Sequence, residues 1–410
     1  MKLFSEGYEK AIQLLQNIST PQGFTASNTD RDNYYRIWGR DGVIIGLATL
    51  LTGDKKFQET FRKTLFTLSE HQGEHGEIPS NVDPQGNHVS YGGTAGRVDA
   101  TLWFVIGCGQ YFKRTEDISF LKALWPHIEK CIFLLGAWEF NQKGFLYVPP
   151  TGDWSDEYIQ QGYVLYDQVL YYQALREYRD IARVMGKKIP RQQSQKIDHL
   201  KEQIRANFWI CETPKDDPAI YHPVLFEKGQ QYCNQKPHWL PFFTPFGYGF
   251  RFDVLANVLV SLFDIADEKQ RTDVDDCIKS RFDRKTNNLL PAFDPIIQPV
   301  DDEWKHLQIS FSYTFKNKPY EYHNGGLWPM VTGFYVADLA RRGKKEEAEA
   351  YARGIDQANK KSTEKGKEWG FAEFLHGKNY TPMGTSHQGW SAGAAVWAHH
   401  ALDNPKNLFL

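Results

Sequence analysis

The chain has few cysteines, no excess of either charge and no long apolar run. Its 410 residues include five cysteines, Cys108, Cys131, Cys211, Cys233 and Cys277. Their number is odd, they are widely spaced and none forms a CxxC pair. That pattern excludes a dense disulfide framework and predicts buried free thiols in a reducing compartment. No stretch reaches the ~20 apolar residues that a membrane-spanning helix needs. Charges are scattered from Met1 to Leu15 with no apolar core among them, so the sequence predicts no signal peptide and a cytoplasmic location. Lys+Arg 48 against Asp+Glu 50 leaves a net charge of -2, which gives no footprint for a nucleic acid or an anionic membrane. There is no phosphate-cradling GxxxxGK[ST], no dinucleotide GxGxxG and no GxSxG elbow. His71 to His75 lacks the HExxH spacing of a zinc site, so neither metal nor cofactor is expected. Without a fixed-period repeat or a Ser/Gly-rich linker, residues 1–410 are expected to form a single domain and not a solenoid.

Aromatic residues make up 15% of the chain, with 12 Trp and 21 Tyr. Pyranose faces stack on such rings, although a large core accounts for them equally well. Apolar periodicity and stop signals predict about twelve helices, at 4–17, 41–52, 55–71, 97–113, 117–138, 161–186, 190–209, 252–265, 267–280, 324–342, 344–361 and 387–402. Strand signals are sparse. Gly144 to Val148 and Leu307 to Ser312 are expected to form small hairpins in loops. The segments at 210–250 and 282–322 are too aromatic for disorder and are expected to be ordered loops. The helices alternate in character. That at 117–138 has one apolar stripe, whereas those around Leu102 to Gly107, Leu327 to Val336 and Gly393 to Ala398 are apolar on every side. Alternation of this kind predicts two concentric layers, an all-α (α/α)6 toroid.

Unusual polar clusters precede the even-numbered helices. They are Trp38-Gly39-Arg40-Asp41, Gly96-Arg97-Val98-Asp99, Asp153 to Glu157, Tyr248 to Asp253, Tyr322-His323-Asn324 and Ser386-His387-Gln388-Gly389-Trp390. N-capping explains an Asp at such a place but not the Arg, His and Trp gathered there. If these helices form the inner ring, the clusters converge on one mouth, the usual form of a small-molecule site. Asp156 beside Trp154, and Glu373 between Trp369 and Phe374, put two carboxylates on opposite lips of an aromatic funnel. Glycoside hydrolysis uses such a pair. Asp156 is the candidate general acid, its proton retained by an apolar wall, and Glu373 the candidate base that activates water. Asp153 and Glu368 are their rivals. Asp99 is a candidate supporting residue for the acid, and His323 and His387 are candidates for hydroxyl contact. A His323–His387 pair also leaves a sugar epimerase open, and a sugar-binding protein without catalysis is a third class.

The motifs Trp38-Gly-Arg-Asp41, Val98-Asp-Ala-Thr-Leu-Trp-Phe104 and Trp154-Ser-Asp156 resemble those of amylo-1,6-glucosidase domains of glycogen-debranching enzymes, with Ser155 where that group has Met. Tyr322-His-Asn-Gly-Gly-Leu-Trp-Pro329, Glu373 and Gln388-Gly-Trp-Ser391 are similar both to that group and to the alkaline/neutral invertases. The resemblance spans residues 34 to 402 and implies an inverting (α/α)6 glycosidase acting on a small carbohydrate. It implies Asp156 as acid, Glu373 as base, Arg40 and Asp41 as the pair holding sugar hydroxyls, and Trp38 and Trp328 as sugar-facing rings. Trp154, Gln388 and Trp390 complete the expected substrate-binding set. An α-glucosidic bond in a short oligosaccharide is the expected target, with sucrose as the alternative.

Overall fold

The computed structural model describes residues 2–29, 32–189, 191–231, 233, 238–282, 286–309 and 314–408. The helices are α1 (Lys2–Asn17), α2 (Asp41–Leu50), α3 (Lys55–Glu70), α4 (Asp99–Thr115), α5 (Ile118–Ala137), α6 (Leu165–Val184), α7 (Arg191–Phe208), α8 (Pro223–Gln230), α9 (Val254–Leu262), α10 (Glu268–Phe282), α11 (Trp304–Gln308), α12 (Pro329–Arg341), α13 (Lys345–Lys360) and α14 (Gly389–Asp403). All twelve expected helices are present with ends shifted by a few residues. The short α8 and α11 are additional. Each is too brief to show a 3.6-residue period, and α11 occupies the start of the hairpin expected at Leu307. Residues 310–312 of that hairpin lie outside the described residues. From the other expected hairpin only Val148 pairs, in a lone bridge to Gly162.

Sequence pattern decides which helices lie inside. Every residue of α2 and of α9 is buried, as is α12 from Pro329 to Ala340. In α3 the buried apolar residues Phe57, Phe61, Leu65 and Leu68 recur at helical spacing, which leaves the other face to water. Helices α2, α4, α6, α9, α12 and α14 pack each on the next, and α14 closes back on α2. Around them α3 packs on α2, α5 on α4, α7 on α6, α13 on α12 and α1 on α14. From α10, Asp275 reaches the hydroxyl of Tyr335 on α12 at 2.9 Å and Arg342 at 2.8 Å. The result is the expected (α/α)6 toroid. Burying each Leu or Phe of the seam contributes roughly 1.5–3 kcal/mol, so ring closure rests on the sum of many apolar contacts.

Short strands decorate the ends where the inner helices begin. Ile37–Trp38 pairs with Asn81–Val82, which pairs with Val89–Ser90. Tyr163–Val164 precedes α6 and pairs with Phe242–Thr244. Phe374–Leu375 pairs with Pro382–Met383 ahead of α14. Most inner helix starts differ from those of α3 and α5. Asp54 and Asp117 cap α3 and α5 with their carboxylates. Of the inner six, only α9 has a side-chain cap, from Asp253. The starts at Arg40, Val98, Val164, Trp328 and Gln388 have none. Asp41 and Asp99 sit inside the first turn of their helices, so their carboxylates are free for tertiary contacts.

One point departs from the sequence reading. Cys211 and Cys233 form a disulfide across the loop that holds α8, whereas Cys108, Cys131 and Cys277 are buried outside any disulfide. Spacing alone does not reveal the pair, because the intervening turn brings their Cα atoms to 5.4 Å. Among the described residues no helix is long and apolar enough to cross a membrane.

At the α12–α14 seam a Cβ on Gly333 would stand 2.8 Å from the Cβ and 3.0 Å from the Cα of Ala394. Gly333→Ala is therefore expected to destabilise the fold by about 1–3 kcal/mol despite alanine's better helix propensity. Thermal unfolding reads this directly. An unchanged or higher Tm would mean that the two helices are not so close.

Candidate active site

One cavity of about 690 Å³ opens where the inner helices begin. Its buried end is formed by Arg40, Asp41, Trp154, Trp328, His323 and Trp390. Asp156 and Glu373 both line it, as does Trp38. Nine of the residues singled out in the sequence therefore share one cavity wall.

Arg40 stands at the start of α2 and is buried. Its Nη1 donates to Asp99 Oδ2 at 2.9 Å, Nε lies 3.8 Å from Asp41 and Nη2 lies 3.8 Å from Asp156. Its guanidinium carbon lies 5.9 Å from the Trp390 ring centroid. A buried cation is tolerated only with such partners. Asp99 does not line the cavity. It is fully buried behind Arg40 and accepts from the Tyr166 hydroxyl at 3.3 Å, which fits the expected supporting place. Burial pushes the Asp41 carboxyl up to about 6 against the pull of Arg40.

Asp156 lies in the turn between α5 and α6. The start of α4 is tied to this turn by the Val98 N–H, which donates to the Gly152 carbonyl at 2.8 Å. Arg97 Nη2 approaches Asp156 Oδ2 to 3.4 Å, while its Nη1 donates to the Thr151 carbonyl at 2.6 Å. The expectation that an apolar wall keeps the proton on Asp156 is overturned. Burial raises its pKa, but Arg97 and Arg40 together outweigh that and hold the group below the ordinary aspartate value. Asp153, its rival, turns away. Its Oδ1 accepts from the Ser155 N–H and hydroxyl, its Oδ2 accepts from Gln160 at 2.7 Å, and it is absent from the cavity wall.

Glu373 faces from the other side, on the segment that enters Phe374–Leu375. The Tyr34 hydroxyl lies 2.9 and 3.0 Å from its two carboxylate oxygens, and the Thr385 N–H donates to Oε2 at 3.1 Å. Gly384 has φ +72, and a Cβ there would meet Glu373 Oε2 at 2.3 Å, so only glycine fits. No cation stands within ion-pair distance of Glu373 among the described residues. Burial pushes its pKa up to about 7, with Thr385, Lys316 and Tyr34 pulling the other way. Glu368, its rival, is exposed and pairs with Lys360 at 3.4 Å.

His323 lies in the wall with neither ring nitrogen bonded, stacked on Trp328 at 5.2 Å and edge-on to Trp154 at 4.8 Å. Burial lowers its pKa to about 3, so it is a neutral imidazole at any working pH. Two expected contacts need correction. His387 lines a separate groove with Trp369 and Lys10, because its left-handed backbone (φ 53) and the bond from its N–H to the Gly370 carbonyl place it there. The His323–His387 pair of an epimerase is thus not assembled. Gln388 is fully buried and donates to Asp41 Oδ1 at 3.3 Å, so it positions Asp41 and does not line the cavity. Sequence reasoning missed Tyr34, Arg36 and Lys316, and gave no role to Arg97 and Tyr322 of its clusters, all in the wall. Arg97 carried a signal, since it lies two residues before Asp99 at an inner-helix start. Tyr34 carried none, because its contact with Glu373 spans 339 residues.

The raised pKa of Glu373 has a stability consequence. The unfolded carboxyl, near its ordinary value of 4.5, binds fewer protons than the folded one up to about pH 7. This contribution is therefore fully present below pH 4.5 and is lost as pH rises through 7. Glu373→Gln is expected to raise Tm more at about pH 8 than at about pH 5. A gain equal at both pH values would show that Glu373 ionises as it does in water.

A model of the family described as alkaline and neutral invertase matches residues 7–405. "Probable alkaline/neutral invertase A, chloroplastic" of Arabidopsis thaliana is 24% identical, over 97% of this chain and 70% of that protein. "Alkaline/neutral invertase C, mitochondrial" of the same plant is 25% identical over 95% of this chain and 65% of its own length. "Cytosolic invertase 1" of Oryza sativa subsp. japonica is 24% identical over 96% and 76%. Among solved structures, the GH63 mannosylglycerate hydrolase of Thermus thermophilus superposes with a TM-score of 0.68 at 14% identity, covering 95% of this chain and 99% of that one. A bacterial glucoamylase complexed with acarbose gives 0.67 at 14%, covering 98% and 56%. At such identities the structural likeness speaks for the fold alone. The chain is a glycoside hydrolase on an (α/α)6 toroid, and it belongs to the alkaline and neutral invertase family.

Proposed function

We propose that this chain hydrolyses an α-glucosidic bond with inversion, and that sucrose is the first substrate to expect. The observation that carries the reading is that Asp156 and Glu373 share one aromatic cavity while standing in opposite electrostatic surroundings. The names of the invertase relatives support sucrose. Arg40 and Asp41 hold hydroxyls of the glucosyl unit at the buried end, where Trp154, Trp328 and Trp390 offer ring faces and His323 a neutral hydrogen-bonding nitrogen, with Trp38 at the rim. Asp156 protonates the leaving oxygen and Glu373 takes a proton from the attacking water. A 1,6-linked glucoside is the second substrate reading, favoured by Trp38-Gly39-Arg40-Asp41 and Val98 to Phe104. The proposed compartment is the cytoplasm, which the name of one relative, a cytosolic invertase, supports.

The surroundings of the two carboxylates oppose these roles. Arg97 and Arg40 favour ionised Asp156, and burial favours protonated Glu373. Sugar hydroxyls that engage Arg40 weaken its hold on Asp156 and raise the acid's pKa in the complex. The same observation favours a second reading in which Glu373 is the acid and Asp156 the base. An α-glucosyl fluoride separates the two, because fluoride departs without a proton donor. Asp156→Asn is expected to lower kcat on sucrose by roughly 10²–10⁴-fold yet to keep activity on the fluoride, whereas Glu373→Gln loses both. The reverse pattern would exchange the roles.

Inversion itself has a direct readout. Carboxyls about 6.5–9.5 Å apart leave room for a water, so an α-glucoside releases β-glucose first. Proton NMR in the opening minutes, before mutarotation, is expected to show that anomer. First-formed α-glucose would mean retention through a covalent intermediate and would remove the water-activating role. A disaccharide panel run alongside ranks sucrose against 1,6-linked glucosides.

A further inference from the structure

The inner end of the cavity is closed by buried residues, so a glucosyl unit held there must direct its leaving group outward to the rim. The rim is built on the face of the three-stranded sheet Ile37–Trp38, Asn81–Val82 and Val89–Ser90. Arg36, Asn81, His88 and Ser90 all line the cavity from this sheet or its flanks. Trp38, Asn81 and Ser90 are opposite one another in register, which puts their side chains on one face with Arg36 two residues along.

Among the described residues, the arginines and the lysine of the wall each meet a carboxylate, with one exception. Arg40 is met by Asp99, Asp41 and Asp156, Arg97 by Asp156, and Lys316 by Glu157 at 3.2 Å. Among the described residues, Arg36 has no carboxylate within ion-pair distance, and its one side-chain hydrogen bond runs from Nη1 to Asn81 Oδ1 at 3.0 Å. That bond fixes the guanidinium and leaves the rest of its planar fork to the cavity. A fork of this kind is matched by a two-oxygen anion and not by a single hydroxyl. Half-buried at the rim, it also avoids most of the desolvation cost that Arg40 bears.

We propose that the rim is an oxyanion-binding subsite centred on Arg36, and that the preferred leaving group carries a phosphate or a carboxylate. This rests on the proposed placement of the glucosyl unit at the buried end. Phosphate and carboxylate share the recognising chemistry, and two substrate pairs distinguish them. One is sucrose against sucrose phosphorylated on its fructose unit, and the other is α-glucosylglycerol against α-glucosylglycerate.

The experiment measures kcat/KM for each pair, and by calorimetry the binding of fructose 6-phosphate against fructose and of glycerate against glycerol. Wild type is expected to prefer at least one anionic member tenfold or more, with the preference shrinking as salt screens the charge. Arg36→Gln is expected to bring the ratio near unity, and Arg36→Lys to restore part of it. Equal treatment of both members in wild type, in turnover and in binding, would overturn the proposal. So would a preference that survives Arg36→Gln. If no α-glucoside is hydrolysed while the anion preference persists in binding, the subsite stands and the glucosidase reading falls.

Discussion

A guanidinium buried among carboxylates sets the terms for the whole mouth of this toroid. Arg40 is 6% exposed and touches Asp99, Asp41 and Asp156. Its partners come from α2, from α4 and from the turn that precedes α6. Removing a charge from water is costly unless opposite charges and hydrogen bonds replace the hydration. The arrangement therefore exists only when neighbouring inner helices are docked in register, and Gln388 at the start of α14 extends it by holding Asp41. Site assembly and ring closure thus share these contacts.

The opposite lip is built on a different principle. Glu373 is met by a phenol, a backbone amide and a glycine turn, with no cation alongside among the described residues. One wall thus stabilises a negative charge and the other resists it. Two similar carboxylates become chemically distinct through their surroundings, which acid–base chemistry at a single bond requires. Tyr34 also feels the charge of Asp156, as Tyr322 and Lys316 do, so the two lips are electrostatically coupled across the cavity.

The inner helices reach the site with their N-terminal amides largely uncapped, while α3 and α5 outside spend an aspartate on capping. Asp41 and Asp99 thus became available for Arg40. The small sheets serve the same end. They are too short to stabilise a fold alone, but they aim Trp38, Asn81 and Phe374 into the rim or behind it.

Much of this was legible in the chain. The 3.6-residue period separates a striped helix such as α3 from an all-apolar one such as α12, and that contrast depends only on neighbouring residues. Clusters such as Trp38 to Asp41 were visible because their composition is wrong for simple capping. What could not be read depends on contacts between distant segments. Tyr34 meets Glu373 across 339 residues, the Cys211–Cys233 bond depends on an intervening turn, and His387 is turned into another groove by one left-handed residue. The charge state of Asp156 belongs with these. The sequence determined which helices would be inside and which carboxylates would stand at the mouth, because periodicity and composition are local. Only the tertiary structure decided which arginine faces which acid, because the electrostatics of a buried group are set by whatever the closed ring brings within a few ångströms of it.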